Sequence, residues 1–216
     1  MKILVIDDHP FVRQGIISIL SEVKGYEVVG ETDEANSALS LISDNMPDVV
    51  LIDLSLKGNI NGLDLIKAIK ERYPKVKSIA VSMHDENVYA ERAIRAGALG
   101  YIMKGEDPEK LINAIEKVFD GEIAVSKKVS DKIMNKFFHG ANNVEVLSVE
   151  LFSNRELEVF ELIGHGFSTS EIAQKLGLSI STIETYRANI KDKLNLKNAA
   201  ELTKTAVQWV IEKNRI

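Results

Sequence analysis

The sequence predicts an α/β domain with a doubly wound, five-stranded parallel sheet, followed by a small all-α domain of four helices. Short apolar runs alternate with longer amphipathic stretches over residues 1–121, which is typical of strand–helix–strand units in a parallel sheet. The run Val49–Ile52 is apolar throughout, as expected of a central strand covered on both faces. From about Phe152 onward the periodicity is helical only.

The elements of the first domain follow in order along the chain. Strands are predicted over residues 2–7, 26–32, 48–53, 77–82 and 100–103. Helices are predicted near residues 9–22, 34–44, 61–73, 86–96 and 107–120. Because ligands of open parallel sheets bind beyond the carboxyl ends of the strands, we expect a functional site in the loops at that edge.

The remaining elements are all helical. One helix is predicted near residues 126–138, before the polar, breaker-rich segment His139–Asn143. Four more are predicted near residues 153–163, 168–176, 180–194 and 198–211. We therefore divide the chain into a first domain of residues 1–121, a linker with one helix over residues 122–150, and a second domain of residues 151–216.

The composition excludes several classes of protein. The 216 residues are 45% hydrophobic and 27% charged and include no cysteine, so neither a disulfide framework nor a thiolate metal site is expected. The apolar runs are too short to cross a bilayer, and the first of them stops at two aspartates, which predicts a strand and not a signal peptide. We expect a cytoplasmic protein with no membrane partner.

Charge is unevenly distributed along the chain. Residues 151–216 contain nine Lys and Arg against eight Asp and Glu, a net charge of +1, whereas residues 1–150 contain 18 against 24, a net charge of −6. An acidic surface repels a polyanion, so the second domain is the better candidate for binding nucleic acid. Its cations include a close group: Arg187, Lys191, Lys193, Lys197 and Lys204.

Carboxylates gather where predicted strands end. Asp7 and Asp8 end the first strand and Asp53 ends the third, and these strands are neighbours in a doubly wound sheet. Such carboxylates repel one another, which a divalent cation such as Mg²⁺ relieves. Ser82 and Lys104, at the ends of the fourth and fifth strands, can hold the oxygens of a transferred phosphoryl group. Each aspartate alone would suggest only a turn residue, but the joint pattern predicts a phosphoryl-transfer site.

Because it carries these residues at the ends of its strands, the segment of residues 1–121 resembles the receiver domain of two-component response regulators. The matching segments are Ile6–His9, Leu51–Leu54, Ala80–Ser82 and Gly97–Lys104. The resemblance implies that Asp53 accepts a phosphoryl group from a sensor histidine kinase or a phosphotransfer protein.

The same resemblance implies roles for the residues around Asp53. Mg²⁺ or another divalent cation would be held by Asp7, Asp8, Asp53 and the backbone carbonyl of Ser55. Ser82 and Lys104 would bind phosphoryl oxygens, and Tyr101 would be the aromatic side chain whose rotamer follows Ser82.

Several positions near this site depart from the family or carry weaker signals. The loop Ser55–Gly62 lacks the usual proline and is one residue longer, and Gly105 stands where many receivers have proline. Ser55 and His84 lie at positions whose side chains flank the attacking water in this family, so we hypothesise that they tune the lifetime of the phosphoryl group. An ordinary role as polar loop residues is equally compatible with these positions. His9 is expected to begin a helix and not to bind a cation.

The second domain contains two capped helices separated by a glycine. Ser168 and Ser179 are suited to cap the helices on either side of Gly177, which predicts a helix-turn-helix whose second helix enters the major groove. A plain four-helix module with a solvated polar face has the same spacing.

Residues 152–211 resemble the LuxR-type DNA-binding domain of response regulators of the NarL/FixJ class. The matching segments are Phe152–Val159, Glu171–Leu176 and Ser181–Leu194. By this resemblance Glu184, Thr185 and Ala188 point to bases, while the DNA backbone is bound by Thr182, Tyr186, Arg187, Lys191 and Lys193. Asn189 is on the same outward face and is also expected to bind DNA.

Two residues of this domain depart from relatives. Asn154 replaces a proline at a helix start, and Glu184 replaces a lysine found in some of them. Glu184 could accept a hydrogen bond from a cytosine amino group. Alternatively, it could serve only to orient Arg187 or another cation.

Together these features predict a response regulator and transcription factor, not a metabolic enzyme. Its partners would be a kinase, double-stranded DNA and a second copy of the chain, at least when phosphorylated or DNA-bound, with RNA polymerase as a further candidate. The last helix carries an apolar stripe that favours core packing over a dimer face: Ala199, Leu202, Ala206, Val207 and Val210.

Two rival functions remain open at this stage. One is a regulator that binds DNA regardless of phosphorylation and uses the first domain for dimerisation or docking. The other is a flavodoxin-like nucleotide or flavin enzyme, which the segment Asp8–Pro10 disfavours because no glycine-rich phosphate loop follows the first strand.

Overall fold

The computed structural model describes residues 1–139 and 149–213. They form two compact units, the first comprising residues 1–56 and 60–139 and the second residues 57–59 and 149–213. Among the helices of these described ranges, none combines the length and the apolar character that a bilayer crossing requires.

The first unit has the predicted doubly wound sheet. Five parallel strands lie in the order β2-β1-β3-β4-β5. The strands are β1 Lys2–Ile6, β2 Glu27–Thr32, β3 Val49–Asp53, β4 Lys77–Ser82 and β5 Gly100–Met103. The helices are α1 Pro10–Ser21, α2 Ala35–Asn45, α3 Gly62–Arg72, α4 Glu86–Ala96 and α5 Pro108–Phe119. The predicted bounds differ from these by about one residue, which is the usual uncertainty of helix and strand ends.

The core of the first unit explains why β3 is apolar at every position. All five residues of β3 are buried, since helices cover both faces of the sheet. On one face, Val49 and Leu51 share a core cluster with Leu20 of α1 and Ile115 of α5. The sheet thereby holds the carboxyl ends of β1, β3, β4 and β5 side by side.

The helix predicted within the linker is α6, Lys127–His139. It packs on α4 of the first unit: Ser126 Oγ donates to Glu86 Oε1 at 2.9 Å, and Lys132 Nζ donates to the carbonyl of Asn87 at 2.6 Å. Residues that precede α6 also pair with the edge of the sheet, where the Ala124 carbonyl accepts the N–H of Tyr101 at 2.9 Å. Helix α6 therefore belongs to the body of the first unit.

The second unit contains the four predicted helices. After a 3₁₀ turn at Val149–Leu151, these are α7 Asn154–Gly164, α8 Thr169–Leu176, α9 Ile180–Lys193 and α10 Ala199–Lys213. Serines begin the first three of them. Ser153 and Ser168 form capping boxes with Glu156 and Glu171, and Ser179 caps α9 by accepting the N–H of Thr182.

The core of the second unit lies between α7 and α10. Phe160 is fully buried, with its ring centroid 5.1 Å from that of Phe152 and 5.6 Å from that of Trp209. Within the apolar stripe of the last helix, Leu202, Ala206 and Val210 are buried, so these three residues serve the core, as favoured from the sequence. Ala199 is exposed and Val207 is half-buried.

Candidate functional sites

The carboxyl edge of the sheet holds a buried group of charges. Asp7 follows β1, Asp53 ends β3 and Lys104 follows β5. Lys104 Nζ lies 2.8 Å from Asp53 Oδ2 and 2.9 Å from Asp7 Oδ2, and the three side chains are only 1–3% exposed. One ammonium thus faces two buried carboxylates, so negative charge remains in excess before Asp8 is counted.

These residues fit a divalent cation. Asp7, Asp8, His9 and Asp53 each offer one ligand atom, and these atoms all lie within 4.8 Å of one another. Three carboxylates are the hard oxygen ligands that Mg²⁺ prefers. The acidic cluster predicted from the sequence is therefore present, and the structure adds His9 to it.

Burial governs the acidity of the candidate acceptor. It raises the pKa of Asp53 above the ordinary range, and the charge of Asp7 raises it further. Lys104 and the N–H of Ser55, which donates to Asp53 Oδ1 at 3.1 Å, act in the opposite direction. A cation beside Asp53 would favour its ionised form, as a nucleophilic carboxylate requires.

Ser82 and Tyr101 meet at a single residue, His84. Ser82 Oγ accepts the N–H of His84 at 3.1 Å, and Tyr101 Oη donates to the carbonyl of His84 at 2.7 Å. Ser82 and Tyr101 are both buried. The two residues predicted to act as a switch are therefore joined through one residue of the β4–α4 loop.

His84 also joins the acceptor loop to α4. Its Nε2 lies 2.9 Å from Ser55 Oγ, and its ring stacks on Tyr89 with centroids 4.2 Å apart and planes at 20°. The sequence suggested only that Ser55 and His84 flank the site. Their contact, and the position of His84 between two loops and a helix, could not be inferred from spacing.

Two glycines shape the loops of this site. Gly105 has φ +91°, a value that the ring of proline forbids, which explains the departure from the usual proline after Lys104. A Cβ on Gly62 would lie 2.1 Å from the carbonyl oxygen of Asp53. Glycine thus allows α3 to begin directly against the backbone of the candidate acceptor.

In the second unit, the fully buried Ile183 and Ile190 define the inner face of α9. Since each residue turns an α-helix by about 100°, Thr185 and Ala188 lie opposite, and both are exposed. Between these two faces, Glu184, Arg187 and Lys191 lie on one side of the helix, and Thr182, Tyr186, Asn189 and Lys193 lie on the other. The structure therefore brings the predicted DNA-binding residues onto one helix, around an exposed central strip.

Glu184 is oriented by a residue of the preceding helix. Thr169 Oγ1 donates to Glu184 Oε1 at 2.9 Å, and Arg187 Nε lies 3.8 Å from the same oxygen. The glutamate side chain is nevertheless 58% exposed. When one oxygen of an exposed carboxylate is hydrogen-bonded within the protein, the second oxygen can still accept a hydrogen bond from a base.

The side chain of Lys193 connects two helices of the unit, α9 and α7. Its Nζ lies 2.5 Å from Glu156 Oε2 and donates to the carbonyl of Leu151 at 3.1 Å. Glu156 Oε2 also accepts the N–H of Ser153 at 2.7 Å. Burial opposes ionisation of Glu156, but the bonds from Lys193 and Ser153 prevail and hold its pKa below the ordinary range. Lys193 therefore attaches the end of α9 to the start of α7.

Replacement of Lys193 by methionine should lower the free energy of unfolding of the second unit by about 1 kcal/mol, because a half-exposed, charge-assisted hydrogen bond is lost. Because folding lowers the pKa of Glu156, its ionised carboxylate stabilises the folded protein. This stabilisation is fully present above the pKa in the unfolded chain, about 4.3, and is lost as the pH falls through the pKa in the folded protein. The difference from wild type should therefore shrink in acid.

Denaturant titrations followed by the fluorescence of Trp209, the single tryptophan of the chain, measure this stability. Lys191→Met on the same helix is the control, and it should leave the midpoint nearly unchanged. Equal losses in the two variants would show that the contact with Glu156 contributes nothing.

Comparison with known proteins agrees for both units. Residues 3–116 match the response regulator receiver domain, and residues 150–206 match the bacterial regulatory proteins of the luxR family. The chain is 35% identical over 212 residues to the oxygen regulatory protein NreC of Staphylococcus epidermidis, covering 96% of this chain and 97% of that protein.

Solved structures give the same result. RcsB of Salmonella enterica serovar Typhimurium, bound to a promoter in the presence of the phosphomimetic BeF3⁻, is 28% identical with a TM-score of 0.63, covering 95% of this chain and 98% of RcsB. A two-component response regulator of the LuxR family from Aurantimonas sp. is 33% identical with a TM-score of 0.58, covering 63% of this chain and 96% of that one.

Proposed function

Because the chain belongs to the two-component response regulators that join a receiver domain to a LuxR-type DNA-binding domain, we propose that phosphorylation of Asp53 controls its sequence-specific binding to DNA. Members of this family regulate transcription and are not metabolic enzymes. The observation that carries the proposal is the buried contact of Lys104 with both Asp53 and Asp7. It supports the proposal because an ammonium this close to Asp53 could bind the oxygens of a phosphoryl group transferred to that carboxylate.

In the proposed reaction, a carboxylate oxygen of Asp53 attacks the phosphorus of a phosphohistidine on the kinase or phosphotransfer protein. The P–N bond breaks as the P–O bond forms, and an acyl phosphate results. Lys104 and the Ser82 hydroxyl bind the phosphoryl oxygens. Asp7, Asp8, Asp53 and the Ser55 carbonyl would hold Mg²⁺, which would neutralise the charge that develops during the transfer.

The contacts of His84 support a route from the acceptor to helix α4. When Ser82 Oγ turns to a phosphoryl oxygen, the N–H of His84 loses its acceptor and the loop is free to shift. Tyr101, which donates to the carbonyl of the same residue, must follow. The stack of His84 on Tyr89 extends the shift into α4, and packed elements with two arrangements transmit such changes.

Helix α6 carries the change to the end of the first unit. Its residue Lys132 and the preceding residue Ser126 contact α4, where they donate to the carbonyl of Asn87 and to the carboxylate of Glu86. A displaced α4 would therefore displace α6, the last described element before the DNA-binding domain. The proposed output of phosphorylation is a changed constraint on that domain.

The proposed DNA contacts follow from the faces of α9. The helix would enter the major groove with Glu184, Thr185 and Ala188 towards base edges and Asn189 beside them. Thr182, Tyr186, Arg187 and Lys191 would bind phosphates. Lys193 is the weakest member of the predicted set because Glu156 already holds its ammonium.

We propose a homodimer for the phosphorylated or DNA-bound state. Two copies read two half-sites and gain affinity by effective concentration. In the apolar stripe of α10, Ala199 is exposed and Val207 is half-buried, so these two residues could contact a second copy. A footprint of a single half-site by a phosphorylated monomer would contradict the dimer. RNA polymerase at the regulated promoter is the proposed further partner.

The test is a DNA-binding titration at one fixed salt concentration. It compares the protein alone, the protein with a small-molecule phosphoryl donor and Mg²⁺, and the protein with donor and a chelator. Tighter binding only when donor and cation are both present is expected. Equal affinity in all three conditions would leave the DNA-binding role of the second domain in place. It would favour a regulator whose binding to DNA does not depend on phosphorylation.

Replacement of Glu184 by glutamine should change base preference at one position of each half-site. A glutamate accepts from the cytosine amino group, whereas a glutamine forms paired bonds with adenine, and each such contact is worth about 1–3 kcal/mol of discrimination. Selection of binding sites from randomised duplexes by wild type and variant measures the change. Thr169→Val, which removes the bond that orients Glu184, should weaken the same preference without replacing it.

The control for this experiment is Glu212→Gln. It removes the same charge from an exposed glutamate of α10 that is also hydrogen-bonded, to Gln208. Both variants should bind DNA somewhat more tightly, because a negative charge is lost. Identical selected sequences for wild type and Glu184→Gln would show that Glu184 reads no base and serves only to orient Arg187.

A further inference from the structure

We propose that His9 adds a nitrogen ligand to the cation site of the receiver domain, and that the site consequently favours divalent transition-metal ions over Mg²⁺. This inference rests on the proposed cation site at Asp7, Asp8 and Asp53. It assigns a ligand role to a residue that the sequence suggested only as the start of a helix. The juxtaposition that carries it is the approach of His9 Nδ1 to all three carboxylates.

The distances have the spacing of ligands on a common ion. His9 Nδ1 lies 2.7 Å from Asp8 Oδ1, 3.4 Å from Asp7 Oδ1 and 3.6 Å from Asp53 Oδ2. In an octahedral site with bonds of about 2.1 Å, neighbouring ligand atoms lie about 3.0 Å apart and opposite ones about 4.2 Å apart. Small shifts of an exposed ring would bring the imidazole into such a site.

The position of His9 is set by its backbone and leaves the ring available. Its N–H donates to Asp7 Oδ1 at 2.8 Å, and Pro10 begins α1 immediately after it. Although His9 occupies the N-cap position, its side chain makes no capping hydrogen bond to the helix. The side chain is 58% exposed, so an ion bound there would keep access to water. The imidazole thus contacts the carboxylates and does not cap the helix.

Ligand chemistry then sets the preference among ions. Mg²⁺ takes oxygen ligands, and its site gains little from imidazole. Manganese, cobalt and nickel ions bind nitrogen and oxygen sites with affinity that rises in that order. A nitrogen from His9 should therefore contribute least for Mg²⁺ and most for Ni²⁺. If His9 were instead a protonated counter-ion, its imidazolium would compete with every bound cation for the carboxylates.

The experiment measures equilibrium binding of Mg²⁺, Mn²⁺, Co²⁺ and Ni²⁺ to the full chain by calorimetry, at a pH of about 8, where a free imidazole is neutral. His9→Leu is compared with wild type, and circular dichroism verifies its fold. His9→Asn is the second variant, since asparagine favours the N-cap and replaces the nitrogen by an amide oxygen. His165→Leu controls for binding to surface imidazoles.

We expect His9→Leu to weaken Ni²⁺ binding by about tenfold or more, Co²⁺ and Mn²⁺ by progressively smaller factors, and Mg²⁺ by less than about threefold. His9→Asn should keep the Mg²⁺ affinity but weaken Ni²⁺ binding, so that the ratio of the Ni²⁺ affinity to the Mg²⁺ affinity falls. Equal binding of all four ions to wild type and both variants would overturn the proposal, and tighter binding to the variants would identify His9 as a counter-ion.

Failure of the cation site itself has a different signature. If wild type binds none of the four ions and Asp8→Asn changes nothing, the proposed function loses its cation, and the role of His9 falls with it. If wild type binds Mg²⁺ and Asp8→Asn weakens all four ions, but His9→Leu leaves the ratios of the four affinities unchanged, only the present inference fails.

Discussion

Replacement of Asp53 by asparagine is expected to abolish incorporation of a phosphoryl group from a small-molecule donor. Asparagine preserves the shape of the side chain but removes the carboxylate oxygen that attacks phosphorus. Lys104, Ser82 and the remaining aspartates would still surround the position. Intact-protein mass spectrometry after incubation with donor and Mg²⁺ measures the result: wild type should gain the mass of one phosphoryl group and the variant none.

The same replacement should increase the stability of the receiver domain in the presence of a chelator. Burial raises the pKa of Asp53, so the folded protein holds this proton more strongly than the unfolded chain does. Stability then falls as the pH rises from the unfolded pKa to the folded pKa, and the ionised group is a net cost at neutral pH. Asparagine removes that cost, and Mg²⁺ should stabilise the wild type more than the variant.

The control for both measurements is Asp44→Asn, at an exposed position of α2. It should be phosphorylated like wild type and unfold at the same midpoint. Retention of the phosphoryl group in Asp53→Asn would contradict the assignment of the acceptor, and peptide mapping would then test Asp7 and Asp8 in its place.

Replacement of Gly164 by alanine is expected to destabilise the DNA-binding domain by about 2 kcal/mol. Gly164 is the last residue of α7, and a Cβ there would lie 2.5 Å from the carbonyl oxygen of Ala206 and 2.5 Å from Val210 Cγ2. Because the first contact is with backbone, α7 and α10 must separate to accommodate a methyl group. The loss of packing around Phe160 should exceed the gain of up to about 1 kcal/mol in helix propensity.

Thermal unfolding followed by Trp209 fluorescence reports this effect, since that residue packs in the same core. A loss of this size should lower the midpoint by roughly 10 °C in a domain of this length. Gly15→Ala is the matched control, because Gly15 is also helical but has nothing within 4 Å of the added Cβ. It should stabilise the receiver domain, as measured by circular dichroism. Stabilisation by both alanines would mean that the α7–α10 approach tolerates a side chain.

The order and type of the elements were predictable because they depend on local patterns. An all-apolar β3 and serine caps before α8 and α9 are features of neighbouring residues, and they predicted both units. The positions of Asp53, Ser82 and Lys104 at one edge were also predictable, since parallel strands end side by side. For the site, the sequence thus supplied the chemical groups and the edge of the sheet where they meet.

The roles of His84, His9 and Lys193 were not predictable in the same way. Ser55 and His84, which contact each other, are 29 residues apart in the chain, and Glu156 and Lys193 are 37 apart. The family resemblance implied that Lys193 binds DNA backbone, and the sequence suggested His9 only as the start of a helix. In the structure the ammonium of Lys193 contacts Glu156 inside the second unit, and the imidazole of His9 lies against three carboxylates.

The sequence by itself determined which elements form, where the acidic edge lies and which helix presents the candidate DNA-binding face, because periodicity, caps and strand ends are local properties. Tertiary packing alone decided which side chains touch across these elements: α6 against α4, His84 between Ser55 and Tyr89, and Lys193 with Glu156. Such contacts depend on ångström-scale distances between distant parts of the chain, which close packing sets and spacing along the sequence does not encode.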